Sequence, residues 1–333
     1  MKFLFFLSGE HPTLPQSEVE ALLKAQGIYY SVVEIEQQVL VIEAEAEIED
    51  IRNLTEKLAL THSIGRLLFF CDYDEIEEQN YNYKFEGSFC VRIWRVGNVR
   101  VKASYLERYI GGRIADYGKK VDLKKHENLF IGIAGKKFYL SEHLASVPRG
   151  EFEKRRAHLR PYYRPGAMHP RLSRTIVNLT GIKAGEFLCD PFCGGGGFLI
   201  EAGLIGAKVY GFDIDDKAII GAEKNLKYAG IDDFNLEVKD MLKLEDYNEY
   251  FHAIVSDPPY GISSSTRGLK KEELYNRAID KIYKMLKPQR YACFIIPLGD
   301  ELENLEGFKV VEKHYLRVHR SLTRVIMVMK KWK

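Results

Sequence analysis

Four aspartates and a run of glycines hold most of the chemistry available to this sequence. Asp190 ends an apolar stretch and runs into Pro-Phe-Cys-Gly-Gly-Gly-Gly, so that Cys193 and Gly194 to Gly197 lead into a helical pattern. Glycines at such a turn let the main chain approach a ligand and aim amide N–H groups at it. The dinucleotide spacing Gly-x-Gly-x-x-Gly is missed, because its third glycine, counted from Gly194, would fall at Leu199. Asp213 lies nineteen residues after Gly194 at the end of the next strand-like stretch. A carboxylate there can accept both ribose hydroxyl hydrogens and would repel a 2′-phosphate. Asp240 ends a third strand and could accept a hydrogen from an adenine amino group. A strand-end aspartate is as often a helix cap. Three of them at successive strand ends, beside a glycine cluster, predict an adenosine with free ribose hydroxyls.

The fourth strand ends in Ser256-Asp257-Pro258-Pro259-Tyr260-Gly261. Two prolines fix φ and remove two N–H donors, so this turn presents carbonyls without competing donors. The Asp257 carboxylate and the Pro258 carbonyl are then two acceptors for one planar exocyclic amine. Tyr260 could stack on the ring that carries it. The five cysteines form no C-x-x-C pair and no Cys/His set of zinc spacing, so no metal is expected. Cys189 and Cys193 read as small packing residues, and a Cys71–Cys90 disulfide stays open.

The elements that must position these residues follow from periodicity. Residues 2–8 read as a strand, and Ser17 with Glu20 as a capping box that opens a helix. Residues 28–36 and 39–45 alternate as two strands joined at Gln37-Gln38. A helix carries Ile48, Ile51, Leu54 and Leu58, and 64–73 is a fourth strand. This β-α-β-β-α-β order is ferredoxin-like. A second small unit has strands at 89–96 and on both sides of Gly135 within 128–143, with a helix over 103–116. Residues 149–174 read as a linker, with three prolines and eight Lys/Arg against two acids. Beyond it, strand and helix alternate at 186–190, 198–205, 207–214, 216–229, 235–240, 251–257, 271–287 and 291–297, which predicts a parallel α/β sheet. The stretches 308–318 and 323–331 pair antiparallel at its edge.

The 333 residues carry a net charge of only +2. Residues 1–80 hold 5 Lys/Arg against 16 Asp/Glu, residues 81–180 hold 21 against 8, and the remainder balance at 23 each. A block at +13 attracts a polyanion through counterion release, unless the acidic first segment neutralises it. Within it, basic residues including Arg92, Arg113, Lys119, Lys120, Lys124, Lys125 and Lys136 interleave with Trp94, Tyr105, Tyr109 and Tyr117. That combination suits phosphate contact with base stacking, or else a merely solvated strand face. Arg155 and Arg156 extend it into the linker. No apolar run approaches the roughly 18–20 residues that span a bilayer. The stretch Phe3 to Leu7 is too short for a signal-peptide core, so a cytoplasmic protein is expected.

Asp190-Pro-Phe-Cys-Gly-Gly-Gly-Gly and Asp257-Pro-Pro-Tyr260 resemble the two motifs of the amino-group methyltransferases that use S-adenosylmethionine. RPGAMHPRLSRTIVNLTG (164–181) is similar to the segment that lies over the methionine end of the cofactor in that group, which brings in His169. FCVRIWRVG, LERYIGGRIADYG and KKVDLKKHENLFI resemble the THUMP RNA-binding domain. The whole chain resembles the archaeal tRNA guanine-10 N2-(di)methyltransferases. The resemblance implies a Rossmann-like class I methyltransferase domain at 165–333, after a ferredoxin-like domain at 1–75, a THUMP domain at 76–148 and a linker at 149–164. It implies Asp257, Pro258 and Tyr260 as catalytic residues. It also implies His169, Asp190, Cys193, Gly194, Gly196, Asp213, Ile214, Asp240, Met241 and Asp257 around the cofactor. The expected partner is tRNA, with a monomer expected and a small activator subunit left open. An N6-adenine enzyme, a methyltransferase for another tRNA guanine, and a non-catalytic tRNA-binding protein remain open alternatives. A nucleotide-dependent oxidoreductase is disfavoured by the missing third glycine.

Overall fold

The computed structural model describes residues 1–260, 270–300, 302 and 305–333. Gly261, which closes the Asp-Pro-Pro-Tyr motif, lies outside the described residues. The chain forms two compact units. The first comprises Met1–Gln16, Gly27–Glu56 and Leu60–Pro148, and the second Ser17–Gln26, Lys57–Ala59 and Arg149–Lys333.

The first unit is built on one eight-stranded sheet. Its elements are β1 (Lys2–Leu7), the start of α1 (Leu14–Gln26), β2 (Tyr30–Glu36), β3 (Val39–Ala44), α2 (Ile48–Asn53), β4 (Thr61–Cys71), β5 (Ser88–Arg95), α3 (Ala103–Ala115), β6 (Lys120–Val121), β7 (Asn128–Ala134) and β8 (Phe138–Ser146). The strand order is β2-β3-β1-β4-β8-β7-β5-β6. The first four strands are mutually antiparallel, the ferredoxin-like arrangement that the β-α-β-β-α-β reading predicts. The sheet runs on without a break through β4 against β8, so the expected boundary at residue 75 falls inside one layer rather than between two. The β4–β8 pairing depends on Gly65, where a Cβ would stand 2.5 Å from Ser141 Oγ and 2.8 Å from the Glu142 carbonyl.

Helix α1 opens three residues before Ser17, at Leu14, with Pro15 in its first turn, where proline loses nothing. His11 Nδ1 accepts from the amides of Thr13 and Leu14 there, at 3.2 and 3.1 Å. The capping box read at Ser17 is therefore corrected. Glu18 is fully buried and accepts from the Ala59 amide, the Thr175 hydroxyl and the Asn178 amide. Cys71 and Cys90 are free buried thiols, so the disulfide left open does not form.

The second unit carries a seven-stranded sheet. After α4 (Arg149–Lys154) and α5 (Pro170–Leu179) come β9 (Phe187–Asp190), α6 (Gly197–Gly203), β10 (Lys208–Asp213), α7 (Asp216–Tyr228), β11 (Phe234–Val238), β12 (Phe251–Ser256), α8 (Lys271–Met285), β13 (Leu286–Pro297), β14 (Phe308–His319) and β15 (Leu322–Lys331). The order is β11-β10-β9-β12-β13-β15-β14, parallel through β13 and antiparallel beyond it. Strand β15 thus inserts between β13 and the edge strand β14. The core on one side gathers Phe212, Phe251, Ile254, Tyr275, Ile279 and Phe294. Consecutive connections that return on a parallel sheet leave the carboxyl ends of β9, β10, β11 and β12 along one edge, where such folds hold ligands.

The linker reading at 149–164 is also corrected. Residues 149–154 are helix α4, residues 157–159 a 3-10 turn, and Arg160 is buried. Helix α5 is buried from Ser173 through Leu179, so the polar stretch around it is interior structure of the second unit.

Candidate functional site

Strand β9 delivers Asp190 to the sheet edge almost fully buried, with Oδ1 accepting from the Phe192 amide at 3.1 Å. Burial pushes its pKa well above the ordinary carboxyl value, and the nearby Asp213 and Asp257 carboxylates push it further. The same edge therefore brings Asp190, Asp213 and Asp257 within electrostatic reach of one another. The glycine turn follows. Gly194 and Gly196 sit at φ +50° and +77°, conformations that side chains resist, and the Cys193 amide donates to the Phe212 carbonyl at 2.9 Å. The Cys193 side chain packs inward, within 3.1 Å of where a Cβ on Gly211 would stand.

Asp213 receives the Gly194 amide on Oδ2 and the Asp215 amide on Oδ1, each at 3.0 Å. The carboxylate is thus oriented by the glycine turn itself, and each oxygen keeps a lone pair for a hydroxyl donor. Ile214 follows it at the strand end and is partly buried. Asp240 caps the 3-10 turn at Met241–Lys243 by accepting from the Leu242 amide at 3.1 Å. Met241 is buried in the core, so its main chain rather than its side chain is what a ligand could meet. His169 caps α5, with Nδ1 accepting from the Arg171 amide and Nε2 standing 3.4 Å from Glu153. The side chain thus has a structural role at the start of α5.

At the end of β12 the geometry is tighter. The Tyr260 hydroxyl donates to Asp257 Oδ1 and accepts from Arg324 Nε at 3.0 Å. Arg324 Nη2 stands 3.2 Å from Asp257 Oδ2 and 3.3 Å from the Gly166 carbonyl, and the guanidinium lies 5.7 Å from the Tyr260 ring centre. Behind them, Tyr275 donates to the Pro259 carbonyl at 3.3 Å. Burial pushes the Asp257 pKa up, while Arg324 and the Tyr260 hydroxyl pull it back. Burial also pushes the Tyr260 and Tyr275 phenols up, so both stay neutral donors. Arg324 carries no motif. Its signal is one cation heading the apolar run Val-Ile-Met-Val-Met on β15, opposite Pro297. Asn225 is a second residue without a motif. It is buried on α7 and ties the Gly195 carbonyl and both main-chain groups of Tyr162 together at 2.9–3.0 Å.

The basic residues of the first unit divide by their partners. Lys120, Lys124 and Lys125 are exposed, and Asp122 shapes their turn by accepting the Lys124 and Lys125 amides at 2.9 and 2.8 Å. Lys136 is exposed beside a turn whose amide is held by Glu36. Arg92 donates to the Leu123 carbonyl at 3.1 Å, Lys119 to the Phe85 carbonyl at 2.6 Å, and Arg113 lies 5.8 Å from the Tyr81 ring centre. A cleft of about 760 Å³ runs along Ile93 to Arg100 and includes the half-exposed Trp94. In the second unit, Arg156 pairs loosely with Glu153 at 3.4 Å. Arg155 is corrected: both its Nε and Nη2 bind the fully buried Glu201 at 3.0 Å, so it is an interior ion pair and not a phosphate contact.

The glycine turn, the strand-end aspartates and Asp-Pro-Pro-Tyr on a sheet of this order define a Rossmann-like methyltransferase. Comparison with known proteins agrees. A family model, the RMKL-like methyltransferase domain, matches residues 157–326. The chain belongs to that family and, over its full length, to the tRNA (guanine(10)-N2)-dimethyltransferases. The protein of that name from Methanothermobacter thermautotrophicus is 40% identical over 99% of this chain and 100% of its own length. The one from Pyrococcus abyssi is 34% identical over 98% and 99%. Among solved structures, TrmN from Thermus thermophilus shares the fold at a TM-score of 0.55 and 19% identity, over 99% of this chain and 100% of its own.

Proposed function

We infer that the protein transfers methyl groups from S-adenosylmethionine to the exocyclic N2 of a guanine in tRNA, at position 10, and that Asp257, Pro258 and Tyr260 are its catalytic residues. The observation that carries this reading is the Asp257 cluster. A largely buried carboxylate is paired with Arg324 and oriented by Tyr260 at a strand end that also gathers Asp190 and Asp213. Those residues fit the cofactor. Asp213 offers acceptors for two ribose hydroxyls, Gly194 and Gly196 leave the turn free of side chains, and Asp240 lies at the end beyond β11 where an adenine would fall. Bound there, S-adenosylmethionine supplies an electrophilic methyl on a sulfonium, a good leaving group.

The protein's own task is to present the amine. The guanine N2 lone pair is delocalised into the ring. Asp257 and the Pro258 carbonyl accept its two hydrogens, favour a pyramidal nitrogen and stabilise the positive charge that grows on it. The proton leaves to Asp257 or to water. The target base must leave its stack, and Tyr260 faces it once flipped. Lys120, Lys124, Lys125 and Lys136, with Trp94 and the cleft beside it, grip the tRNA by phosphates and by stacking. Among the described residues no helix is long and apolar enough to cross a membrane. A tRNA substrate fits a reaction in the cytoplasm, and we take the enzyme as a monomer.

Purified full-length chain incubated with unmodified tRNA and labelled S-adenosylmethionine, followed by nucleoside mass spectrometry, tests this directly. N2-methyl- or N2,N2-dimethylguanosine mapped to position 10 is expected. N6-methyladenosine, or label at another guanine, would overturn the assignment. Turnover by the chain alone shows that no activator subunit is required.

A further inference from the structure

Interior charge beside the glycine turn does not balance. Glu201 on α6 is fully buried and saturated: Arg155 takes both of its oxygens, and Arg174 Nη2 adds a contact to Oε2 at 3.0 Å. Arg160, only 9% exposed, lies within the field of Glu201 but forms no ion pair with it. Its Nε donates to the Arg155 carbonyl at 2.9 Å, while its buried Nη2 has no hydrogen-bond partner among the described residues. Counting the buried Glu18 that also faces Arg174, three guanidiniums share two carboxylates. Burial disfavours the charged Arg160, and the field of Glu201 offsets this only in part.

The position of this orphan is specific. Arg160 Nη1 lies 3.7 Å, and the buried, unpartnered Ser173 Oγ 4.0 Å, from where a Cβ on Gly197 would stand. Asn225 bolts the adjoining Tyr162 to the Gly195 carbonyl, so the Arg160 segment cannot drift from the turn. Along the sheet edge the order is Asp240, Asp213, the glycine turn after β9, then Asp257. With adenine and ribose on the first two and the methyl aimed at the last, the amino-acid arm of the cofactor falls at the glycine turn. S-adenosylmethionine has one anionic group, the α-carboxylate of that arm.

We propose that Arg160 and the Ser173 hydroxyl form the subsite for the α-carboxylate of S-adenosylmethionine at Gly197. This rests on the methyltransferase reading. Arg160 completes its pairing only when the cofactor arrives, and it distinguishes the full cofactor from adenosine thioethers that lack the amino acid.

Calorimetry on the full-length protein with two ligands tests it. S-adenosylhomocysteine and 5′-methylthioadenosine share the adenosine and the thioether and differ in the amino-acid arm. Arg160→Gln should weaken S-adenosylhomocysteine by roughly 10- to 100-fold and leave 5′-methylthioadenosine within about twofold. Ser173→Ala should act in the same sense, more weakly. Equal losses for both ligands would make Arg160 structural and overturn the proposal. Should Arg160→Gln fail to fold, wild-type protein is compared on S-adenosylmethionine and its decarboxylated form. Equal affinity there also overturns it, and a preference of at least tenfold for the carboxylate supports it. Wild-type protein that binds none of these ligands would instead sink the methyltransferase reading itself.

Discussion

Replacing Arg324 with glutamine removes the cation that faces Asp257 and keeps a hydrogen-bond donor of similar reach. Two unit charges 3.2 Å apart interact by roughly 5 kcal/mol at an effective dielectric of about 20. The Asp257 and Arg324 side chains are 20% and 10% exposed, so residual solvent and the relief of Arg324 desolvation take back about half, leaving roughly 2–3 kcal/mol. Methyl transfer near neutral pH should then fall roughly 30- to 150-fold. The loss should depend on pH, and the sign is fixed. Asp257 works as a carboxylate, burial already raises its pKa, and the Arg324 charge is the main influence opposing that rise. Without it the acid limb of the kcat profile moves to higher pH, so the deficit is largest on the acid side and narrows as pH rises. The other ionisable groups there do not mimic this. Tyr260 and Tyr275 remain neutral because burial raises their pKa, and Asp190 responds to Arg324 only through the charge of Asp257. Single-turnover rates on tRNA across pH, with cofactor affinity measured in parallel, are the assay. A deficit of the same size at every pH, or an unmoved acid limb, would refute the electrostatic role.

Asp257→Ala should retain S-adenosylmethionine affinity within a few-fold and lose at least about a thousandfold in methyl transfer, measured by calorimetry and labelled-tRNA turnover. Asp190→Asn keeps the acceptor for the Phe192 amide and removes a buried charge repelled by Asp213 and Asp257. A carboxyl whose folded pKa is raised weakens the fold once pH exceeds its unfolded value, so this variant should melt a few degrees higher than wild type at neutral pH without ligand, with the gap closing below about pH 4. Glu201→Gln takes from Arg155 and the buried Arg174 the carboxylate they share, leaving Arg174 only the field of Glu18, which costs about 3 kcal/mol and should lower Tm by roughly 5–10 °C. Replacing Lys120, Lys124 and Lys125 with alanine should weaken tRNA binding and reduce the salt slope by up to about three, with cofactor affinity unchanged by calorimetry.

The parts of this protein that the sequence discloses are those in which one residue type does one periodic or stereochemical job. Short apolar runs place β10 and β12, glycines at positive φ mark the turn at Gly194 and Gly196, and the two prolines mark the end of β12. Each of these can be read from neighbours along the chain. The segment 149–179 is different, because its interior is polar. Glu18, Thr175 and Asn178 satisfy one another, as do Arg155, Arg174 and Glu201. Such side chains look like solvated linker until the partner, up to 160 positions away, is known. Helix α5 therefore escapes pattern reading, although it is among the most buried helices among the described residues.

Arg324 escapes for the same reason. A cation at the head of an apolar strand is ordinarily an edge residue, and here it acquires a partner because β15 inserts between β13 and β14 and carries it toward Asp257. Sequence spacing identifies the groups that touch substrate, since their chemistry restricts the residue types allowed. The groups that set the charge state of those residues need only a suitable end of a side chain at the right point in space, and any element can deliver it. Asp257 shows the consequence. As a motif residue it is a carboxylate in a buried turn, which by burial alone would tend toward the neutral acid. What opposes that tendency is the Tyr260 hydroxyl and, above all, a guanidinium that lies 67 positions further along the chain.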